Sequence, residues 1–295
     1  MGPIYLWSVD APFMIKPSRD LPDFRKPPLS EVVLSIQFGS LANLKGIHLG
    51  LFWKHVRKQY PDVSEQPIIQ AAFETFGTPQ VARPSFQFQT FLAPPVPRYW
   101  FEKSGKPDLL QIQQDRLIHN WRIADGSVAY PRYEKVRASL EREINLFAKW
   151  LAAEKLGEIR PNQCEVTYTN LIEFEESDRV HADLSRLTPL WTDTVTEQIP
   201  AQLEDIATNS RFVFSEDDKP AGRIYVQFQP VFRQSDLRPM IKLEITARGK
   251  PEGESIADAL KFIDIEHSHV VRTFAAVTSE EMHKLWGRVD GKRHK

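Results

Sequence analysis

The densest cluster of titratable side chains lies in the stretch IDIEHSHVVR at residues 263–272. On a helix, Asp264 and His267 are three residues apart and share a face, so they could perform acid–base chemistry in a hydrolase or nuclease. With a distant third ligand such as His283 they could bind a metal, but the spacing is not HExxH, and His267 and His269 diverge by roughly 200°. The alternative is a histidine hydrogen-bonded within a helix–sheet interface. We expect no metal or other cofactor, and we keep Asp264 and His267 as the candidate catalytic residues.

A polar hairpin, LQIQQDRLIHNWRI at residues 110–123, offers recognition chemistry instead. Strand alternation puts Gln111 and Gln113 on one side of the first strand, and His119 and Trp121 on one side of the second. We predict that these four residues form one face that mixes donors, acceptors and an aromatic platform. Such a face suits a peptide, a base or a partner protein, although an ordinary solvated sheet has the same composition.

A second polar hairpin pairs IYVQFQPVFR at residues 224–233 with MIKLEITAR at residues 240–248. Cross-strand pairs of opposite charge explain part of its polarity without any function. If both hairpins line the same side of one sheet, they form an extended recognition surface rather than a deep catalytic pocket. The residues of the second hairpin predicted on that surface are Tyr225, Gln227, Gln229, Lys242, Glu244 and Arg248.

Sharper catalytic motifs do not occur in the sequence. It contains no GxxxxGK[ST] phosphate loop, no GxGxxG and no GxSxG elbow. Cys164, the one cysteine, lies in an apolar strand pattern and is expected to be a buried, inert thiol. We therefore favour a non-catalytic protein, although acid–base pairs can be assembled in space from residues far apart in sequence.

The elements that must position these residues occur twice in the same order. In residues 27–157 the pattern predicts a strand at 31–38, a helix at 47–61, strands at 85–92, 98–103, 109–115 and 116–123, and a long helix at 133–156. In residues 158–288 it predicts a strand at 163–174, a short helix at 182–191, strands at 199–207, 211–215, 222–232 and 238–248, and helices at 255–277 and 282–288. Residues 1–26 are a proline-rich extension, and 289–295 are a basic tail.

This order predicts an α+β fold. Two pseudo-repeated strand–helix–four-strand–helix halves would form one curved antiparallel sheet, with the long helices on one face and the other face available. The order of elements resembles the topology of the TATA-binding-protein-like fold. That resemblance concerns shape and implies no function.

Composition limits the classes of partner. The 295 residues carry 38 Lys and Arg against 39 Asp and Glu, so a protein that holds nucleic acid by bulk charge is excluded, while a local basic face is not. No apolar run approaches the ~18–20 residues of a membrane helix, so we expect no membrane partner. A single cysteine suits a reducing compartment, and we expect a cytoplasmic protein.

Several phrases occur together: EVVLSIQF (31–38), LQIQQDRLIHNWR (110–122), CEVTYTN (164–170) and MHKLWGR (282–288). With them the chain resembles a sporadically distributed family of uncharacterised bacterial proteins of about this length. The resemblance implies no activity or catalytic residue, but patchy distribution suits a bacterial defence or toxin–antitoxin context. The leading hypothesis is therefore a binding or regulatory protein that holds a partner protein on the sheet face. A nucleic-acid-binding protein is the second, and a hydrolase or nuclease is the third.

Overall fold

The computed structural model describes residues 21–77, 96–123, 129–174, 179–194 and 198–289. The predicted strand at 85–92 and nearly all of the basic tail lie outside these ranges. The described strands are β1 (Asp23–Phe24), β2 (Leu29–Phe38), β3 (Asp62–Gln66), β4 (Arg98–Glu102), β5 (Asp108–Gln113), β6 (Arg116–Arg122), β7 (Pro161–Ile172), β8 (Thr208–Glu216), β9 (Lys219–Phe232), β10 (Pro239–Gly249) and β11 (Arg288–Val289). The described helices are α1 (Gly46–Val56), α2 (Tyr133–Ala153), α3 (Leu184–Leu187), α4 (Ile256–Val277) and α5 (Glu280–Leu285).

Nine of these strands form one antiparallel sheet, as the α+β prediction requires. Its strand order is β3-β4-β5-β6-β2-β7-β10-β9-β8, and β1 pairs separately with β11. At the centre β2 pairs with β7, where Leu34 lies opposite Val166 and both are fully buried. Each polar hairpin therefore lies on its own side of this central pair, β5 and β6 on one side and β9 and β10 on the other.

The long helices pack on the apolar face of the sheet. The long helix predicted at 133–156 is confirmed as α2, and the apolar stripe that it buries against the strands consists of Val136, Leu140, Ile144, Phe147 and Leu151. Helix α4 begins after the N-cap Ser255, whose hydroxyl accepts a hydrogen bond from the Asp258 amide at 3.1 Å. Within the described ranges, no helix has both the length and the apolar character needed to cross a membrane.

The strand predicted at 199–207 is wrong. Pro200 lacks an N–H, and the neighbouring amides bond elsewhere: Ala201 donates to the Ile199 carbonyl at 2.7 Å, and Ile206 to the His181 carbonyl at 3.1 Å. The strand that follows, β8, is the edge of the sheet and pairs with β9. Conversely, β3 was not predicted, because its sequence DVSEQ has the polar composition of a loop.

The shared face predicted for the first hairpin is also wrong. A two-residue turn pairs Gln113 with Arg116, so each odd-numbered residue of β5 lies opposite an even-numbered residue of β6. Directly opposed residues share a face. His119 therefore lies opposite Leu110 on the helix side, where it is fully buried, and Trp121 is buried on that side as well.

His119 belongs to a buried ionic cluster between the sheet and α2. Its Nδ1 lies 2.9 Å from Glu143 Oε2, and its Nε2 lies 3.5 Å from Asp108 Oδ1. The Tyr60 hydroxyl donates to the other Glu143 oxygen at 2.5 Å. Burial by itself would lower the pKa of His119, but the two carboxylates outweigh burial and raise it to about 9. The histidine is therefore charged at neutral pH and holds Glu143 against β6.

This cluster makes the free energy of unfolding depend on pH in the alkaline range. The folded-state pKa of His119 is about 9, whereas the ordinary pKa of histidine is 6.5, so its contribution is fully present below pH 6.5 and is lost as the pH rises through 9. We expect the free energy of unfolding, measured by urea titration, to fall by up to about 3 kcal/mol over this window. His119→Gln should flatten that slope. An equally steep slope in the variant would contradict the assignment.

Candidate functional site

One face of the sheet, opposite the helices, is continuous through both hairpins, and we call it the polar face. The register connects it strand by strand. Tyr225 lies opposite Thr246, Thr246 opposite Thr167, Thr167 opposite Val33, and Val33 opposite Asn120. Since directly opposed residues share a face, side chains of β9, β10, β7, β2 and β6 line one surface.

Most of the predicted recognition residues lie on the polar face. These are Gln111, Gln113, Tyr225, Gln227, Gln229, Lys242, Glu244 and Arg248. His119 and Trp121 lie on the opposite face, and Asp264 and His267 belong to α4, which packs on that opposite face. The structure thus brings together the glutamines and charged residues of both hairpins, but separates them from the candidate acid–base pair.

Part of the polar face is buried rather than solvated. Gln37, Gln111, Gln113, Arg116 and Asn120 are each less than a tenth exposed. Burying polar groups is costly unless they find hydrogen-bond partners. The prediction of an available, half-solvated face therefore does not hold at these positions, and their partners show what occupies the surface.

Residues 67–76, PIIQAAFETF, lie over the polar face, and we call them the crossing segment. The contact at Ile69 is two-way: its amide donates to Gln113 Oε1 at 2.8 Å, and its carbonyl accepts from Gln113 Nε2 at 3.0 Å. A side-chain amide here satisfies one residue's backbone donor and acceptor together, as a neighbouring strand does. Gln113 therefore recognises extended backbone without regard to the side chain at that position.

Further backbone contacts hold the crossing segment along its length. The Ala72 amide donates to Gln37 Oε1 at 3.1 Å. Arg116 Nη2 donates to the Gln70 carbonyl at 3.1 Å, and Arg98 Nε donates to the Pro67 carbonyl at 3.2 Å. The groups that bind the segment come from β2, β4, β5 and β6, so it passes across strands rather than alongside one.

Glu74 anchors the far end of the crossing segment on the second hairpin. Its carboxylate accepts from Arg223 and, at 2.7 Å, from the Tyr225 hydroxyl, while Arg248 Nη1 lies 3.6 Å away. Arg223 also donates to the Thr75 carbonyl at 3.1 Å. The Glu74 side chain is only 2% exposed. This is a desolvated carboxylate site, where charge-assisted bonds are strong and specific.

Charge elsewhere on the polar face is balanced in neighbouring pairs. Arg248 bonds Glu165 at 2.6 Å, Lys242 lies 3.4 Å from Glu244, and Arg122 is paired with Glu102. A surface that tracks a phosphate backbone needs cations without such acidic neighbours. The face is therefore suited to a ligand of low net charge.

Sequence reasoning missed the crossing segment and most of the residues that hold it. Gln37 and Arg116 lie in strands that were predicted, but the residues they would meet could not be read from strand alternation. The segment itself has neither helical nor strand periodicity, so no local pattern signals it. Its one charge, Glu74, is unremarkable in a chain with 39 acidic residues.

Of the two candidate catalytic residues, His267 lines a cavity of about 340 Å³ on the helix side. The His267 ring stacks on Tyr133 at a centroid distance of 3.6 Å, and its Nδ1 lies 3.0 Å from the Tyr168 hydroxyl. The Tyr130 hydroxyl lies 3.0 Å from the Tyr168 hydroxyl. Asp264 accepts from Tyr133 and is paired with Arg137. These contacts connect α2 to α4 and β7.

The pKa directions at this cavity oppose acid–base catalysis at neutral pH. Burial lowers the pKa of His267 to about 3, and burial raises the pKa of Tyr133 and Tyr168, so all three stay uncharged. A catalytic acid or base works best with a pKa near the operating pH. Among the described residues, no group of three or more His, Cys, Asp or Glu side chains could hold a metal ion. His283 lies in a separate cluster, 2.9 Å from the Thr278 hydroxyl.

His267 should affect stability in acid. Its folded-state pKa lies below the ordinary histidine pKa of 6.5, so its contribution is present above pH 6.5 and is lost as the pH falls towards 3. His267→Phe keeps the stacking on Tyr133 and removes the titration, so its thermal midpoint should fall less between pH 6.5 and 4 than that of the wild type. The same substitution at the exposed His55 is the control. If the thermal midpoint of His267→Phe fell as far between pH 6.5 and 4 as that of the wild type, a buried, neutral histidine would be contradicted.

Comparison with known proteins assigns no function to this arrangement of residues. No protein-family model matches the chain, and no curated protein sequence matches it. Its function must therefore be inferred from the contacts on the polar face and around the cavity.

Proposed function

We propose that this is a non-catalytic binding protein, whose polar face holds an extended segment of a partner protein. The observation that carries the proposal is the two-way hydrogen bonding between the Gln113 side chain and the backbone of Ile69. The crossing segment is then an internal occupant of a surface built for polypeptide. The partner would bind in the same extended conformation.

Backbone recognition supports a polypeptide ligand over other classes. Proteins that capture extended peptides supply main-chain hydrogen bonds for affinity and use side-chain pockets for specificity. Gln113, Gln37, Arg116 and Arg98 all bond backbone atoms of the crossing segment, and none of these contacts requires a particular side chain.

The pseudo-repeat is part of the proposal. The first strands of the two halves, β2 and β7, pair at the centre, and each is flanked by the strand that precedes a long helix, β6 or β10. This order supports a duplicated, TATA-binding-protein-like sheet in which each half contributes one polar hairpin. A partner encoded beside the protein, in a bacterial defence or toxin–antitoxin context and in the cytoplasm, would fit the resemblance noted in the sequence.

Nucleic acid is the second candidate ligand. The arginines of the polar face favour it, but the acidic partners of Arg122 and Arg248 and the overall net charge of -1 weigh against it. Binding through phosphates would show a steep dependence on salt. We propose no catalytic role for Asp264 and His267, because the contacts and pKa directions at the cavity support a structural role.

The experiment removes the crossing segment from the polar face and then supplies the same sequence as a separate peptide. Residues 67–76 of the full chain are exchanged for a ten-residue Gly/Ser segment, and folding is checked by circular dichroism. A labelled synthetic peptide PIIQAAFETF is then titrated by fluorescence anisotropy. We expect saturable binding, and Gln113→Leu in the same background should weaken it about tenfold, through loss of two partly buried hydrogen bonds.

The matched control exchanges residues 199–204, a loop of similar composition whose Leu203 carbonyl accepts from Arg179, for Gly/Ser. Its polar face stays occupied, so it should bind the peptide much more weakly. Failure of the folded 67–76 exchange variant to bind the peptide would contradict the proposal. Salt-sensitive binding of a single-stranded oligonucleotide by that variant, without peptide binding, would favour the second candidate instead.

A further inference from the structure

We propose that Arg223, Tyr225 and Arg248 form a receptor for a single carboxylate of the partner's segment, and that Glu74 occupies it as an internal competitor. This inference rests on the proposed function and names the ligand: an extended peptide with one correctly spaced acidic side chain. The crossing segment would then regulate access, since a partner must displace it to bind.

Part of the receptor is held in place by side chains outside the crossing segment. Arg223 is only 11% exposed and donates both to the Glu74 carboxylate and to the Thr75 carbonyl. Arg248 is held in place by Glu165 at 2.6 Å, and its guanidinium lies 5.5 Å from the centre of the Tyr225 ring. Tyr225 is therefore fixed with its hydroxyl towards the carboxylate. Such prior ordering reduces the entropy lost on binding.

The charges of this cluster require an anion. Arg223 and Arg248 carry two positive charges, while Glu165 and Glu74 carry two negative charges. Without the Glu74 carboxylate, one positive charge would stay in a largely desolvated place, which is strongly unfavourable. Displacement of the crossing segment is therefore favourable only when the incoming ligand brings its own negative charge.

The charge balance of this cluster also favours a carboxylate ligand over a phosphate. One carboxylate restores neutrality, whereas a phosphate dianion would leave an excess negative charge close to Glu165. The exposed Arg211, 5.7 Å from the Tyr225 ring centre, adds positive potential from solvent but does not contact Glu74 in the described bonds. We therefore assign the site to the side-chain carboxylate of Glu or Asp.

The contacts also set a spacing rule. The backbone N–H groups that are bound belong to Ile69 and Ala72, and the bound carboxylate belongs to Glu74. A ligand segment thus needs an acidic residue five positions after the residue that Gln113 recognises. Proline should be excluded at the positions equivalent to 69 and 72, because it has no N–H. It is tolerated at the position of Pro67, where only the carbonyl is used.

The first test changes only the peptide, so folding of the protein is not at issue. The 67–76 exchange variant is titrated with PIIQAAFETF, with the same peptide carrying Gln for Glu, and with one carrying Pro for Ala at the position of Ala72. We expect about tenfold or greater weakening for each altered peptide. Tight binding of the peptide with Gln for Glu would overturn the carboxylate receptor while leaving the proposed function intact, because that peptide keeps every backbone N–H. Failure of every peptide would instead overturn the proposed function.

The second test concerns competition in the full chain. Glu74→Gln weakens the internal occupant, so it should bind the acidic peptide about tenfold more tightly than the wild type does. The control is Glu65→Gln, the same substitution on exposed β3, which should bind like the wild type. Equal affinities for Glu74→Gln and wild type would overturn the competitor role. Tighter binding of inorganic phosphate than of the acidic peptide would overturn the carboxylate assignment.

Discussion

The pairing of β2 with β7 is the contact on which the rest of the molecule depends. It joins strands that belong to different parts of the chain, so β5 and β6 become continuous with β9 and β10 in one sheet. On one side of this pair the apolar residues support α2 and α4. On the other side the polar residues of both hairpins share a surface. A shift of one residue in this register would exchange the two sides, so the buried apolar residues fix the position of the polar face.

Buried charges have a different role on each face of the sheet. On the helix side, the buried His119 and Glu143 form a cluster with the partly exposed Asp108, and this cluster fixes the packing of α2 on β6. On the polar face, Glu74 and Arg223 are also desolvated, but one partner comes from a segment without regular structure. Buried ion pairs gain little net stability, whereas separating them is costly. A segment held in this way is replaceable only by another anion.

The sequence predicts the regular elements well and their mutual arrangement less well. The apolar stripe of α2, the cap at Ser255 and the strands of both hairpins follow from local patterns. The face of the sheet on which His119 lies does not follow from a local pattern. Which residues of the two strands share a face depends on whether the turn between them has two residues or three. The crossing segment could not be predicted, since its contacts join Ile69 to Gln113 and Glu74 to Arg223 across long separations. The strands that carry the polar face could therefore be predicted from the sequence, and the crossing segment that occupies it could not.

The central claim is that the polar face binds extended backbone, and the amide hydrogens of Ile69 and Ala72 report on it directly. Hydrogen exchange followed by NMR should show both amides exchanging more slowly than in the free peptide PIIQAAFETF, because Gln113 and Gln37 accept their hydrogen bonds. Gln113→Leu should speed the exchange of Ile69, and an acidic peptide that displaces the segment should expose both amides. Exchange of both amides at the rate of the free peptide in the wild-type chain would contradict the account.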